Sequence, residues 1–120
     1  MPTSEQINEW VALLESDEYK QCSSKLEIDD DDGSCYFCCL GIYARYVLNA
    51  RKVVLDIKEV KSGIMNAGVY FYIEHGFFKT MLPEHIMKKE MQDKLVEMND
   101  GGRTFKDIAA YIKSQPLGAF

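Results

Sequence analysis

The chain has 120 residues, 47% of them hydrophobic and 28% charged, enough for one domain, 1–120, with its own core. By surface scaling such a chain goes from about 20,000 Å² unfolded to about 6,600 Å² folded, and its ordinary hydrophobic and charged shares exclude a disordered or fibrous protein. Fourteen Lys and Arg against nineteen Asp and Glu leave a net charge of -5, which disfavours nucleic acid as a partner, since non-specific binding needs a positive field.

No apolar run reaches the roughly 18–20 residues of a membrane span. The start, Met1 to Glu5, lacks the basic region and apolar stretch of a signal peptide. The expectation is a cytoplasmic protein with its four cysteines reduced.

Thr3 with Gln6 three residues on fits a capping box. Ile7, Trp10, Val11 and Leu14 then fall on one helical face. Residues 16–24 read as a connection. Lys25 to Ile28 alternates charged and apolar residues, as a short strand does. Four Asp from Asp29 to Asp32, then Gly33 and Ser34, make a turn. Ser34 is a candidate N-cap for a helix through about Asn49, with Leu40, Tyr43, Val47 and Leu48 on one face. The alternative is that β-prone Cys35–Cys38 closes a hairpin with 25–28, and the helix begins near Cys39.

Two strands follow. Val53, Leu55 and Ile57 alternate with Val54, Asp56 and Lys58, and Val69, Phe71 and Ile73 with Tyr70, Tyr72 and Glu74. An antiparallel pair built from 52–60 and 68–75 is predicted, with Lys61-Ser62-Gly63 as a turn candidate. Leu82-Pro83-Glu84 reads as a helix start with Pro83 at the first helical position. Met91, Leu95 and Met98 give its stripe, which stops at Asn99-Asp100-Gly101-Gly102. Thr104 with Asp107 caps a last helix that buries Phe105, Ile108, Ala109 and Ile112. The fold class is therefore α+β: a small antiparallel sheet against helices, ending in a helix–turn–helix-like pair.

Two stretches carry a resemblance. One is Trp10-x-x-Leu13-x-x-x-x-x-Tyr19-x-Gln21 followed by Tyr36-Phe37-Cys38-Cys39-Leu40-Gly41. The other is Leu82-Pro83, then Leu95-x-x-Met98-Asn99-Asp100-x-Gly102-x-Thr104-Phe105-x-x-Ile108-Ala109-x-x-Ile112. Together they resemble small proteins encoded by bacteriophages and prophages, and through them the anti-Thoeris sponge family. That resemblance implies an oligomeric, non-enzymatic protein that sequesters a cyclic ADP-ribose signal. It transfers no ligand contact to a position of this chain.

Candidate chemistry is sparse. Cys22, Cys35, Cys38, Cys39, His75 and His85 are enough ligands for a zinc site. There is only one CxxC, however, and Cys39 runs straight into apolar Leu40, so a core role fits better. No metal and no cofactor is expected. Placing Gly33 at position 6 of a calcium loop puts Ile28 and Cys39 at two ligand positions, which rules that loop out. Phosphate-loop, dinucleotide, zincin and nucleophile-elbow motifs are absent, and no catalytic residue is expected.

Two features remain for binding. In Asn99–Thr104, turn amides, a helix start and the Arg103 guanidinium are suited to a phosphate. The same residues suit an ordinary helix–helix turn better, and Asp100 weighs against an anion there. Tyr70 and Tyr72 lie on the strand face opposite Val69, Phe71 and Ile73, suited to stacking a base or to an interface or second core layer. The candidate ligand residues are thus Tyr70, Tyr72, Asn99, Arg103 and Thr104. The expected ligand is a cyclic nucleotide-type signalling molecule bound near a contact between copies of the chain. The alternative is an inhibitor that docks its acidic surface on a defence enzyme.

Overall fold

In chain order the computed structural model, which describes residues 1–55 and 67–120, runs α1 (Ser4–Glu15), β1 (Lys20–Gln21), β2 (Glu27–Asp29), β3 (Cys35–Phe37), α2 (Cys39–Ile42) continuing into a π-helical turn (Tyr43–Val47), β4 (Arg51–Leu55), β5 (Gly68–Ile73), β6 (Gly76–Phe78), α3 (Lys89–Asp100), α4 (Phe105–Ser114) and a 3-10 turn (Leu117–Ala119). This is an α+β fold. Its surface of 6893 Å² is close to the value scaled from its mass. Among the described residues no helix is long and apolar enough to cross a membrane.

Both capping boxes form. Thr3 and Gln6 exchange side-chain and backbone hydrogen bonds at the start of α1, and Thr104 and Asp107 do so at α4. Each exchange satisfies two amide groups that a helix start leaves unpaired. On α1 the stripe Trp10, Val11 and Leu14 is buried. Burying side chains of that size stabilises by about 1.5–3 kcal/mol each. The Trp10 indole N–H also donates to the Cys39 carbonyl at 2.9 Å, which ties α1 to the start of α2.

The hairpin alternative is the one adopted. β2 pairs antiparallel with β3 in the register Glu27↔Phe37 and Asp29↔Cys35, so the second helix begins at Cys39 rather than after Ser34. The short strand β1 adds parallel to the other edge of β3, and this sheet is mixed, in the order β1-β3-β2. The second sheet is antiparallel in the order β4-β5-β6. The pairing of β4 with β5 matches the expected pair over its described part. Residues 56–60 of the expected first strand, and Lys61-Ser62-Gly63, lie outside the described residues.

The helix expected from Pro83 starts later. Pro83 opens a turn, its carbonyl accepting from the Ile86 and Met87 amides, and α3 begins at Lys89. The buried Gln92 carboxamide holds this turn open by bonding the Leu82 amide, the Leu82 carbonyl and the Met87 carbonyl at 2.7, 3.0 and 2.9 Å. The core joins Trp10, Leu14, Phe37, Cys39, Leu40, Tyr43, Phe71, Leu95 and Ile108 with Phe120, which packs edge-on against Trp10.

Candidate functional site

A cleft of about 180 Å³ opens where the loop before β2, the start of α2, the loop after β6 and the end of α3 meet. Ser24, Lys25, Thr80 and Asp100 form its polar rim, while Cys38, Cys39, Met81 and Val96 form its walls, with Asn99 at its base. Ser24 has a left-handed backbone, φ 70°, and its amide donates to Asp100 Oδ1 at 3.0 Å. A second cavity of about 200 Å³ lies against the mixed sheet and β4–β5. Lys25 lines both cavities.

Asn99 explains how the cleft is held. It is 3% exposed. Its amide group donates to the Cys22 carbonyl at 2.7 Å, and its side-chain oxygen accepts from the Cys39 amide at 3.3 Å and from Gln21 Nε2 at 2.9 Å. Cys22 N–H donates to Phe37 C=O at 2.8 Å, and in a continuing parallel ladder Cys39 N–H would answer to Cys22 C=O. The Asn99 carboxamide stands between those two groups and bonds both. It extends the β1–β3 ladder to α3 by acting as an inserted peptide unit.

The five residues singled out in the sequence do not converge. Asn99 lines the first cleft and Thr104 a different cavity, beside Tyr19, Gln21 and Lys106; neither tyrosine lines either one. Thr104 spends its hydroxyl and amide on Asp107. The amides of Gly101, Gly102 and Arg103 donate to the Glu97, Asn99 and Met98 carbonyls. The turn amides offered to a phosphate are therefore engaged, and the Asp107 carboxylate already holds the helix start. Arg103 is exposed, and its carbonyl accepts from Gln21 Nε2 at 2.7 Å. Tyr70 is buried, 7% exposed, with the Lys79 ammonium 5.4 Å from its ring centroid. Tyr72 is half-buried beside the Phe77 ring at 5.0 Å. The signal the sequence offered for the cleft was local: a polar loop at Ser23–Lys25 facing a Cys-Cys pair.

Cys38 and Cys39 are core residues, 4% and 0% exposed. Burial pushes the Cys38 thiol up to about 12 and the Cys39 thiol well above its ordinary value. Among the described residues one group has metal-ligand spacing: Glu27, Asp29 and Cys35, with ligand atoms within 4.8 Å of one another. The Lys52 ammonium already sits there, 2.6 Å from Glu27 Oε2 and 2.6 Å from Asp29 Oδ2. Arg45 adds a contact to Glu27 at 2.8 Å. This is an internal ion network in which an ammonium takes the cation's place.

The fold and site thus define a small α+β protein with a narrow cleft walled by protonated thiols and rimmed by polar groups. The chain belongs to the family described as domain of unknown function DUF8296, whose model matches residues 3–116. No curated protein and no solved structure matches it.

Proposed function

We propose that the protein is a non-enzymatic binder that holds a small, nucleotide-derived signalling molecule in the cleft at Lys25, Thr80 and Asp100. The observation that carries this reading is the pair of cavities sharing Lys25 as a common wall. Each alone is below the roughly 300–1,000 Å³ of a typical small-molecule site, so a ligand of that size has to span both, across Lys25. A ligand with a base-sized part and a charged part suits such a two-part groove. Binding without turnover fits the cleft's chemistry. Its thiols are held protonated, and neither His75 nor His85 lines it. An anti-defence role in a bacteriophage, with a cyclic ADP-ribose isomer or cyclic oligonucleotide as the sequestered signal, is what the resemblance adds. Association of copies belongs to the same reading, with Val54 and Phe77, 56% and 48% exposed, as apolar surface for it.

Calorimetry against a panel of cyclic ADP-ribose isomers and cyclic oligonucleotides tests this. Saturable binding is expected, with the ligand recovered unchanged after denaturation and binding abolished by the cleft-filling Thr80→Trp. Absence of heat across the panel overturns the ligand class, and a chemically altered ligand overturns the non-enzymatic reading. A second reading rests on the exposed Asp30, Asp31 and Asp32 at the β2–β3 tip: an inhibitor that docks this acidic tip on the basic site of a defence enzyme. A stoichiometric enzyme complex that is lost in the triple Asp→Asn variant of the tip would favour it.

A further inference from the structure

We infer that Lys25 and Lys79 form an anion subsite for a phosphate or diphosphate group, beside the second cavity. Three observations converge on it. The Leu26 amide donates to the Lys79 carbonyl at 2.8 Å, which brings the residue after Lys25 against the residue after β6. Lys79 then crosses Gly68: its Cε lies 2.9 Å from where a Gly68 Cβ would stand. Gly68 and Lys25 both line the second cavity. The backbone bond and the Gly68 contact thus place half-buried Lys79 beside the cavity that half-buried Lys25 lines.

The charge there is unbalanced. Among the described residues neither lysine forms an ion pair with a carboxylate. Lys79 Nζ donates to the Ala67 carbonyl at 2.8 Å and faces the Tyr70 ring. Of the carboxylates lining the two cavities, Glu27 and Asp29 are matched by Arg45 and Lys52, and Asp100 accepts from the Ser24 amide and from Asn99 Nδ2. Among the described residues of this chain of net charge -5, both ammonium groups thus lack an ion-pairing carboxylate. Burial first, and then the charge of Lys25, holds the Lys79 ammonium below its ordinary pKa. An anion bridging the two relieves that repulsion and adds charge-assisted hydrogen bonds. A phosphate or diphosphate fits because it offers several acceptor oxygens to two donors on different elements. The inference deepens the proposed binding function and rests on it for the physiological ligand, though not for the subsite itself.

The test uses the intact protein and inorganic pyrophosphate at constant ionic strength. The wild type should bind it saturably, with a rise in melting temperature. Lys25→Met and Lys79→Met should each weaken binding at least tenfold. Lys113→Met, which removes a lysine paired with Glu15 on the far helices, should leave it unchanged, and Lys79→Arg should retain most of it. Absence of saturable binding, or equal binding by the Lys25 and Lys79 variants, overturns the subsite. Orthophosphate and a nucleoside diphosphate form two further arms. Tighter nucleoside diphosphate binding that still depends on both lysines places the diphosphate of a larger ligand here; equal affinity for both places a free phosphate. Pyrophosphate binding without any cyclic nucleotide binding removes the proposed signal but keeps the subsite. Cyclic nucleotide binding that is indifferent to both lysines keeps the function and removes the subsite.

Discussion

The side-chain amide of Asn99 lies 2.7 Å from the carbonyl oxygen of Cys22 and donates to it. With the Cys39 amide bonded on its other side, one buried side chain joins α3, β1 and the start of α2. The carboxamide suits this place because it offers donor and acceptor in the geometry of a peptide. Asn99→Ala strips partners from a buried carbonyl and a buried amide, each costing about 1–3 kcal/mol when left unpaired. A loss of about 3 kcal/mol in urea unfolding is expected. Asn99→Asp keeps the shape but loses the donor and should cost a similar amount at neutral pH. A ligand-contact role without structural weight would instead leave both variants as stable as wild type.

Gly41 faces Leu26 across the junction of α2 and β2. A Cβ at Gly41 would stand 1.7 Å from the Leu26 carbonyl oxygen, and that oxygen accepts from the Cys38 amide at 3.1 Å. Both contacts are backbone, so neither can step aside. Gly41→Ala should destabilise by more than about 3 kcal/mol, at the upper end of overpacking costs. Gly102→Ala meets nothing within 4 Å but has φ +92°, so it should cost only about 1–2 kcal/mol of backbone strain. Gly118→Ala meets no atom within 4 Å and should be neutral. Equal midpoints for Gly41→Ala and Gly118→Ala in denaturant titrations would refute the close approach.

What was legible in the sequence follows the range of the interactions. Both capping boxes are four-residue signals and appear as written at Thr3–Gln6 and Thr104–Asp107. The stripes of α1 and α4 are periodic and fall in the core, except for Ile7, which is half-buried against it. Cys35–Phe37 was ambiguous because its β-prone aromatic content competes with the helix cap offered by Ser34, and pairing with Glu27–Asp29 decided it. Pro83 misled because a Pro at a helix start and a Pro at a turn share one local pattern. Gln92, ten residues from Leu82, selects the turn. The role of Asn99 was not readable at all, because its partners on β1 lie at the other end of the chain. The candidate tyrosines and turn residues have the right chemistry for a nucleotide, but the fold distributes them over separate places.

Lys52 offers a test of the buried charges. The Glu27 side chain is fully buried, and Lys52 bridges it to Asp29. Burial, and then the neighbouring Asp29 oxygen, push the Glu27 carboxyl above its ordinary range. Asp29 is also raised by burial, but its hydrogen bonds with Glu27 and Lys52 outweigh that and hold it low. A lowered carboxyl contributes stability above its unfolded pKa and loses it as pH falls through the folded value. Lys52→Met removes the partner of two carboxylates and should cost about 3–5 kcal/mol at pH 7. As pH drops towards roughly 4, the carboxylates of the variant take up protons and the deficit should shrink. Urea midpoints of wild type and variant compared from pH 7 to pH 4 check this. A deficit that stays constant with pH would mean that packing, not charge, is what Lys52 supplies.

The thiols give the opposite pH response. Burial raises Cys22 to about 11, Cys38 to about 12 and Cys39 well above its ordinary value. A group whose folded pKa lies above its unfolded value keeps its proton in the native state after the unfolded chain has released it. Stability is therefore complete below the unfolded value, roughly pH 8.5, and declines as pH climbs towards the folded ones. At pH 10 each fully buried thiol should account for a loss of about 2 kcal/mol. Urea midpoints should fall between pH 7.5 and pH 10, and the fall should lessen in a Cys38→Ala, Cys39→Ala variant compared with its own value at pH 7.5. The same protonation predicts reactivity, because the thiolate is the nucleophile. In native buffer at pH 8 a thiol reagent should reach half-buried Cys35 first, half-buried Cys22 more slowly because its thiol is raised to about 11, and spare Cys38 and Cys39 until urea is added. Four thiols reacting at one fast rate in the folded protein would show that the Cys38–Cys39 wall of the cleft is open to solvent, and would overturn the picture of a cleft walled by protonated thiols.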